Sequence, residues 1–339
     1  MRGLHVAALV VAVVALFQVR ANAQLPTATG RTIVLSTDAQ QRHKLFIPDH
    51  FVNTGQPVDV LVHFHGDFAT VNNNAKYANL NAVVINVTYG GLSSAYQTPF
   101  SNQALFGDIL GDALTKLRAQ PDFADNVNFG NRAISSFSAG YAAVREILKS
   151  PSYFDQIDGI HLADSLYASF TSATDHTPLS SQMVDFKRFA LAAAAEEDGK
   201  TFLFSHSQVP TFTYCRTDEC ADDLVQHVGA AWQTYNATGL GGMQFYRRSL
   251  EGDFSIYGAT GTDANAHTSH FQWMGQFLGA LPLAHVPEPT GAAAIPLLAL
   301  VLARRRGGDF SCGSRRVSDT IASARRTGQG RAKRTGDGR

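Results

Sequence analysis

One serine stands at a predicted junction between a strand and a helix. Residues 132–137 are typical of a buried strand, and the motif SFSAG at positions 136–140 leads from it into a helical pattern. A sharp strand-to-helix turn lifts a hydroxyl clear of the sheet and frees the next backbone N–H to stabilise an oxyanion. Ser138 is therefore a candidate nucleophile for acyl transfer, with Ala139 as an oxyanion donor. The alternative is a serine that caps the helix.

A catalytic serine needs a base, and the base needs a carboxylate to orient it. Asp164 ends the predicted strand 159–163, where it is either that acid or an ordinary turn residue. Two histidines, His267 and His270, lie between the last predicted strand and the last predicted helix, 271–281. Both are candidates for the base.

A third polar group ends another predicted strand. In the segment 62–67, VHFHGD, a glycine follows a histidine. This resembles the oxyanion turn of α/β-hydrolases, in which such a glycine lets a backbone N–H face a carbonyl oxygen. The resemblance implies that His65, Gly66 and Asp67 form an oxyanion or substrate site. A second interpretation is open, because alternate strand residues share a face. His63, His65 and Asp67 match the first part of the H-x-H-x-D-H signature of metallo-β-lactamase-like hydrolases, with Phe68 in place of the last histidine.

Apolar runs of strand length alternate with stretches of helical spacing along the middle of the chain. The predicted strands are 59–64, 82–87, 132–137, 159–163, 200–204 and 254–258, and the predicted helices are 106–118, 139–149, 183–197 and 221–235. Continuous apolar strands separated by helices indicate a parallel sheet covered on both faces. The fold class is therefore α/β, a three-layer sandwich with a mostly parallel sheet, and residues 32–47 are predicted to add an edge hairpin.

The order of these parts resembles the α/β-hydrolase superfamily over nearly all of residues 24–284. The segments 62–66, 135–141 and 163–169 are also similar to exported hydrolase-like proteins of environmental bacteria. The resemblance implies the chain order Ser138, Asp164, histidine, and favours His267, deeper in the predicted loop, over His270. No cofactor is expected.

Both ends of the chain carry export features. Residues 1–23 have a charge at Arg2, an apolar run and the Ala21-Asn22-Ala23 pattern that signal peptidase cleaves after. Residues 285–306 resemble a PEP-CTERM sorting signal: Pro-Glu-Pro, an apolar stretch and three arginines. This resemblance implies removal by a sorting protease at the cell surface, after transient anchoring in the inner membrane. Such signals normally end near the arginines, whereas 33 more residues, 307–339, follow here.

The charge is unevenly distributed. Residues 304–339 hold eleven Lys or Arg against three Asp, whereas the whole chain is balanced at 28 of each sign. The tail is predicted to be disordered, since it has almost no apolar residues. The preceding part is acidic, so nucleic acid is not expected as a partner. In an oxidising compartment, Cys215 and Cys220 are predicted to form a disulfide across a short loop.

These features predict an exported serine hydrolase at the cell surface, acting on small-molecule or polymer esters. One alternative is a catalytically inactive hydrolase fold used for binding, since the motif is a variant of G-x-S-x-G with Ser136 in place of the first glycine and the acid is uncertain. The other is the metal-dependent hydrolase of His63, His65 and Asp67. The substrate is not given by the sequence: Tyr89, Tyr96 and Phe100 either line a pocket or simply pack.

Overall fold

The computed structural model describes residues 24–287, and these residues form an α/β fold around one open sheet of ten strands. The strands are β1 Gly30–Val34, β2 His43–Pro48, β3 Val58–Phe64, β4 Ala82–Val87, β5 Phe129–Phe137, β6 Gly159–Ala163, β7 Thr201–His206, β8 Gln233–Thr238, β9 Gln244–Glu251 and β10 Phe254–Ala259. They include every predicted strand, and the predicted edge hairpin is formed by β1 and β2. These strands are rich in the branched and aromatic residues that favour a buried sheet.

The strand order is β1-β2-β4-β3-β5-β6-β7-β10-β9-β8. The central strands β4, β3, β5, β6, β7 and β10 pair in parallel, and the two ends of the sheet are antiparallel. The mostly parallel open sheet confirms the predicted fold class, the α/β-hydrolase fold. Because the carboxyl ends of parallel strands share one edge, the residues that follow β3, β5, β6 and β7 are brought together there.

Helices cover both faces of the sheet. They are α1 Phe68–Tyr77, α2 Ser94–Phe100, α3 Ala104–Arg118, α4 Tyr141–Leu148, α5 Pro151–Gln156, α6 Ser180–Ala194, α7 Thr217–Val228, α8 Ala264–Gln272 and α9 Gly275–Leu278. Strand alternation divides the core in two, since Val60 and Val62 of β3 pack with α3, α4, α6 and α7, whereas Leu61 packs with α1, α8 and α9. Three layers result, as predicted.

Two helix boundaries differ from the prediction. The predicted helix 221–235 ends early, because Gly229 adopts a left-handed φ of 76° after α7 and the chain turns into β8. The predicted loop around the two histidines is a helix, α8. It begins at Ala264 because Asp263 caps it, accepting a hydrogen bond from the Ala266 N–H at 2.8 Å.

The predicted signal peptide, the sorting segment from residue 288 and the basic tail lie outside the described residues. The first residues of the predicted sorting segment pack on the domain: the Val286 N–H donates to the Asn79 carbonyl at 2.9 Å, and His285 pairs with Leu80. Within residues 24–287, no helix has the length and apolar character needed to cross a membrane.

Candidate active site

Ser138 lies at the sharp turn between β5 and α4. Its φ is 46°, in the left-handed region that non-glycine residues rarely occupy, and a short 3-10 turn, Ser138–Gly140, leads directly into α4. Gly140 is required for close packing, because a Cβ there would lie 2.2 Å from the Phe64 carbonyl oxygen. Such local strain is found at functional sites, where the surrounding structure holds it in place.

Ser136, the unusual first residue of the motif, has a specific partner. Its hydroxyl lies 2.8 Å from that of Ser165, and the Ser165 hydroxyl donates to the Ser138 carbonyl oxygen at 2.9 Å. Both Ser136 and Ser165 are fully buried. The extra side chain in the tight turn therefore forms a hydrogen bond with its neighbour and does not clash with it.

His267 contacts both of the other predicted triad residues. Its Nε2 lies 2.9 Å from Ser138 Oγ and its Nδ1 lies 2.6 Å from Asp164 Oδ2. The imidazole stands in the first turns of α8, packs against the Phe137 ring and keeps 21% of its side chain exposed. A single histidine thus connects a hydroxyl to a carboxylate through its two nitrogens, which is the arrangement required for general-base activation of a serine.

Asp164 is fully buried at the end of β6, with φ at 43°. Besides His267, its carboxylate accepts hydrogen bonds from the Ser207 N–H at 2.9 Å, the Ser207 hydroxyl at 2.6 Å and the Thr217 hydroxyl. Burial alone would raise the pKa of Asp164, but the hydrogen bond from His267, the nearby His270 and the Ser207 hydroxyl outweigh it and hold that pKa well below its usual range. The carboxylate is therefore ionised at neutral pH.

Sequence reasoning missed Ser207 and Thr217 as partners of the acid. Ser207 directly follows β7, the strand next to β6, so a polar residue at that strand end was an available signal. Thr217 opens α7, and no local pattern connects it with Asp164, 53 residues away.

His270, the competing base, faces a different environment. Its side chain is fully buried, and its Nδ1 pairs with the Ser205 hydroxyl at 2.9 Å rather than with Ser138. Burial lowers its pKa to about 4, so the imidazole is neutral. The structure brings His267, and not His270, to the serine.

The turn after β3 contains His65, Gly66 and Asp67, the residues predicted to form an oxyanion or substrate site. His65 has φ at 72° and donates its N–H to the Val87 carbonyl at 3.0 Å, while its ring pairs with the Tyr96 hydroxyl at 2.9 Å. Gly66 has φ at 125°, and a Cβ there would lie 2.4 Å from the Phe271 ring. The Asp67 carboxylate caps α1 by accepting from the Thr70 N–H. The side chains of His65 and Asp67 and the His65 N–H are thus all engaged in hydrogen bonds within the protein.

The three side chains of the metal interpretation do not converge. His63 is fully buried, with Nδ1 at 2.6 Å from the Ser135 hydroxyl and Nε2 at 2.8 Å from the His65 carbonyl oxygen. His65 lies beyond the end of β3 with a positive φ, so the strand alternation that predicted a shared face does not reach it. No group of three or more His, Cys, Asp or Glu side chains within residues 24–287 could hold a metal ion.

The predicted disulfide is not formed, since Cys215 and Cys220 are both free and buried. Cys215 lies in a bridge with Ala168, and its Sγ is 3.3 Å from the His176 carbonyl oxygen. Cys220 belongs to α7, which begins three residues earlier and places the thiol in the core. Burial raises the pKa of both thiols.

No protein-family model and no curated protein sequence matches the chain. Solved structures with a similar fold include a dienelactone hydrolase-like promiscuous phosphotriesterase from metagenomic libraries, at 14% identity and a TM-score of 0.40, covering 76% of this chain and 99% of that one. An S-formylglutathione hydrolase from Staphylococcus aureus has 11% identity and a TM-score of 0.41, with 76% and 100% covered. A feruloyl esterase module from Clostridium thermocellum, complexed with sinapinate, has 10% identity and a TM-score of 0.40, with 77% and 94% covered.

Proposed function

We propose that this protein is a serine hydrolase that cleaves carboxylic esters through Ser138, His267 and Asp164. The observation that carries the proposal is the position of His267, 2.9 Å from Ser138 Oγ on one side and 2.6 Å from Asp164 Oδ2 on the other. A buried carboxylate that is ionised at neutral pH fixes the tautomer, because Nδ1–H donates to it and leaves the Nε2 lone pair facing the serine hydroxyl.

The first step acylates the serine. As the bond forms between Ser138 Oγ and the ester carbonyl carbon, the hydroxyl proton passes to His267 Nε2 and the carbonyl oxygen becomes an oxyanion. The Ala139 N–H is suited to stabilise that oxyanion, since the first N–H groups of a helix have no partner within the helix. The N–H groups of Gly66 and Asp67 are suited to act from the opposite side.

Collapse of the oxyanion completes the acylation, because it breaks the bond to the alcohol oxygen, which leaves with the proton from His267. The second step returns the serine. Water attacks the acyl carbon, gives a proton to His267 and releases the carboxylic acid as Ser138 recovers its proton. Asp164 keeps its negative charge throughout and stabilises the imidazolium that forms in both steps.

The entrance to the site favours esters that carry an aromatic group. Tyr96 and Phe100 are buried and serve as packing, whereas the largely buried Tyr89 also lines a surface cavity with Arg42 and Gly90. Two large apolar side chains in the loops that follow strands are exposed, Leu92 at 80% and Phe212 at 88%. They belong to the loops after β4 and β7, which lie on opposite sides of β5 in the sheet.

A row of tyrosines connects these loops to the nucleophile. Tyr141, three residues after Ser138, packs on Tyr167 with centroids 5.5 Å apart, and Tyr167 packs on Tyr214 at 5.6 Å. The side chain of Ser93, from the loop that carries Leu92, is hydrogen-bonded to Tyr141. Tyr214 is 42% exposed and so presents a ring to an incoming substrate.

We further propose that the protein is exported, with cleavage after Ala23 by signal peptidase and removal of the segment that begins at residue 285 by a sorting protease. The apolar run and Ala21-Asn22-Ala23 pattern support the first part, and the Pro-Glu-Pro, apolar and arginine order supports the second. Mass spectrometry of the protein recovered from outside a bacterial host should then show Gln24 at its N-terminus. A chain that keeps Met1 and stays inside the cell would contradict export.

Ester hydrolysis by the purified full-length chain tests the catalytic proposal. Methyl acetate and benzyl acetate are suitable probes, with acid release followed in a pH-stat. The proposal requires that the rate fall by at least about three orders of magnitude in Ser138→Ala. Thermal unfolding of the variant should remain unchanged within a few degrees. An equal rate in that variant would exclude Ser138 as nucleophile.

A further inference from the structure

Each peptide group suited to bind the oxyanion is held by a side chain from behind. In a planar trans peptide the C=O of one residue and the N–H of the next point in opposite directions, so a hydrogen bond to the carbonyl fixes the direction of the N–H. The Ser165 hydroxyl donates to the Ser138 carbonyl oxygen at 2.9 Å, and this bond fixes the direction of the Ala139 N–H. The Thr88 hydroxyl donates to the Gly66 carbonyl oxygen at 2.9 Å, and this bond fixes the direction of the Asp67 N–H.

A third contact completes the set. His63 Nε2 lies 2.8 Å from the His65 carbonyl oxygen and donates to it, and this bond fixes the direction of the Gly66 N–H. The other nitrogen, Nδ1, accepts from the Ser135 hydroxyl at 2.6 Å, and this bond fixes the tautomer that has the proton on Nε2. Burial lowers the pKa of His63 to about 3, so the ring is neutral and keeps one nitrogen as an acceptor.

Two of the peptides held in this way adjoin strained residues. Ser138 and His65 have φ values of 46° and 72°, in the left-handed region that residues other than glycine rarely adopt. A strained peptide has other orientations of lower energy, so its N–H stays directed at the site only while the surroundings hold it. Ser136 belongs to this system, because its hydroxyl, 2.8 Å away, leaves the Ser165 hydroxyl directed at Ser138.

We propose that Ser165, Thr88 and His63 are positioning residues that hold the peptide groups of the oxyanion site in their catalytic orientation, with Ser136 orienting Ser165. The inference rests on the proposed serine-hydrolase function. None of these side chains touches the substrate. Their loss weakens the transition state, in which the oxyanion exists, and leaves the binding of the neutral ester unchanged.

Two isosteric or near-isosteric variants of the full-length protein test the proposal. Ser165→Ala and Thr88→Val should each lower kcat for benzyl acetate about ten- to hundredfold with KM unchanged, since loss of a whole oxyanion donor costs about a hundred- to a thousandfold. The Ki of a trifluoromethyl ketone, which forms a tetrahedral adduct with the serine, should rise by the same factor as kcat/KM falls. Thr88→Ser keeps the hydroxyl and should restore wild-type kcat.

Matched controls separate positioning from general loss of packing. Ser249→Ala removes another fully buried hydroxyl, on β9, and Thr201→Val removes a buried threonine hydroxyl at the opposite end of β7. Both should leave kcat unchanged. The proposal would be overturned if kcat fell equally in the controls or if KM rose instead of kcat falling. Unchanged kcat in both test variants would also overturn it. Should Ser165→Ala fail to fold, Thr88→Val alone decides. Failure of the serine-hydrolase proposal is distinguishable, because the wild type would then be inactive or Ser138→Ala would be as active as the wild type.

Discussion

His267 and His270 lie three residues apart on one helix, yet only His267 reaches Ser138. The Nε2 of His267 is 2.9 Å from the serine hydroxyl, whereas the His270 ring is fully buried against Ser205. A spacing of three residues places them on the same side of the helix, one above the other, at different depths in the domain. The difference in depth, which sequence spacing alone does not show, distinguishes the base from a core residue.

This difference predicts opposite outcomes for two identical substitutions. His267→Gln should lower kcat by at least about three orders of magnitude with little change in thermal stability, because it removes the base of the triad. His270→Gln should lower the thermal unfolding temperature and leave kcat within about tenfold of wild type, because it changes a buried contact. Steady-state ester hydrolysis and thermal melting measure both. A greater loss of kcat in the His270 variant would reverse the assignment.

Asp164→Asn tests the role of the carboxylate. An amide has only one acceptor oxygen and carries no charge. It therefore cannot hold the proton of His267 on Nδ1 in the way a carboxylate does, and it cannot stabilise an imidazolium. We expect kcat to fall about ten-thousandfold at neutral pH. Asp263→Asn, which changes the aspartate that caps α8 and lies outside the triad, is the matched control and should keep near wild-type activity. Equal rates in both variants would exclude Asp164 as the orienting acid.

The exposed side chains of Leu92, Phe212 and Tyr214 predict a preference for aromatic esters. Methyl phenylacetate carries a ring on the acyl side, and benzyl acetate carries one on the alcohol side. The ester whose ring meets Tyr214 should exceed methyl acetate in kcat/KM by about tenfold. Tyr214→Ala should abolish that preference, and Tyr214→Phe should keep it. Val184→Ala, an exposed apolar residue on α6, should have no effect. A wild type that hydrolyses all three esters equally would refute the preference and leave the triad untouched.

Fully buried histidines predict loss of stability in acid. Burial lowers the pKa of His63, His161 and His206 to about 3 and that of His270 to about 4, against 6.5 for an unburied imidazole. The unfolded chain therefore binds more protons than the folded chain below about pH 6.5, and stability falls as the pH is lowered through that range. Each ring contributes up to about 1.4 kcal/mol per pH unit.

Thermal melting between pH 7 and pH 5 measures this slope. His161→Phe removes a ring whose two nitrogens have no hydrogen-bond partner among the described residues. It should therefore reduce the loss of unfolding temperature on acidification. An unfolding temperature independent of pH in the wild type over this range would contradict the assignment of neutral buried rings.

Much of the site follows from the sequence because of the sheet. Parallel strands were identifiable as short, continuous apolar runs, and Ser138 and Asp164 directly follow two neighbouring strands, β5 and β6. Since the carboxyl ends of parallel strands share an edge, these two side chains were expected to lie at the same edge of the sheet. The histidine was limited to two positions by the resemblance to α/β-hydrolases.

What the sequence did not reveal depends on contacts between distant segments. Helix α8 is short and built of small and polar residues, and it is stabilised by the Asp263 cap and by the packing of Phe271, neither of which is a periodic pattern. The direction of Cys220 follows from where α7 begins, which made the predicted disulfide wrong. The contact of Thr217 with Asp164 joins a helix start to a strand end that lie far apart in the sequence.

Covalent labelling of Ser138 tests the central proposal most directly. The purified full-length protein would be treated with a fluorophosphonate probe, beside Ser138→Ala and the control Ser269→Ala, a serine on α8 outside the triad. An activated serine predicts stoichiometric labelling of the wild type and the control, a modified peptide that contains residue 138, and no labelling of Ser138→Ala. A folded wild type that takes up no probe, or a Ser138→Ala variant that is labelled as fast as wild type, would contradict the proposed nucleophile.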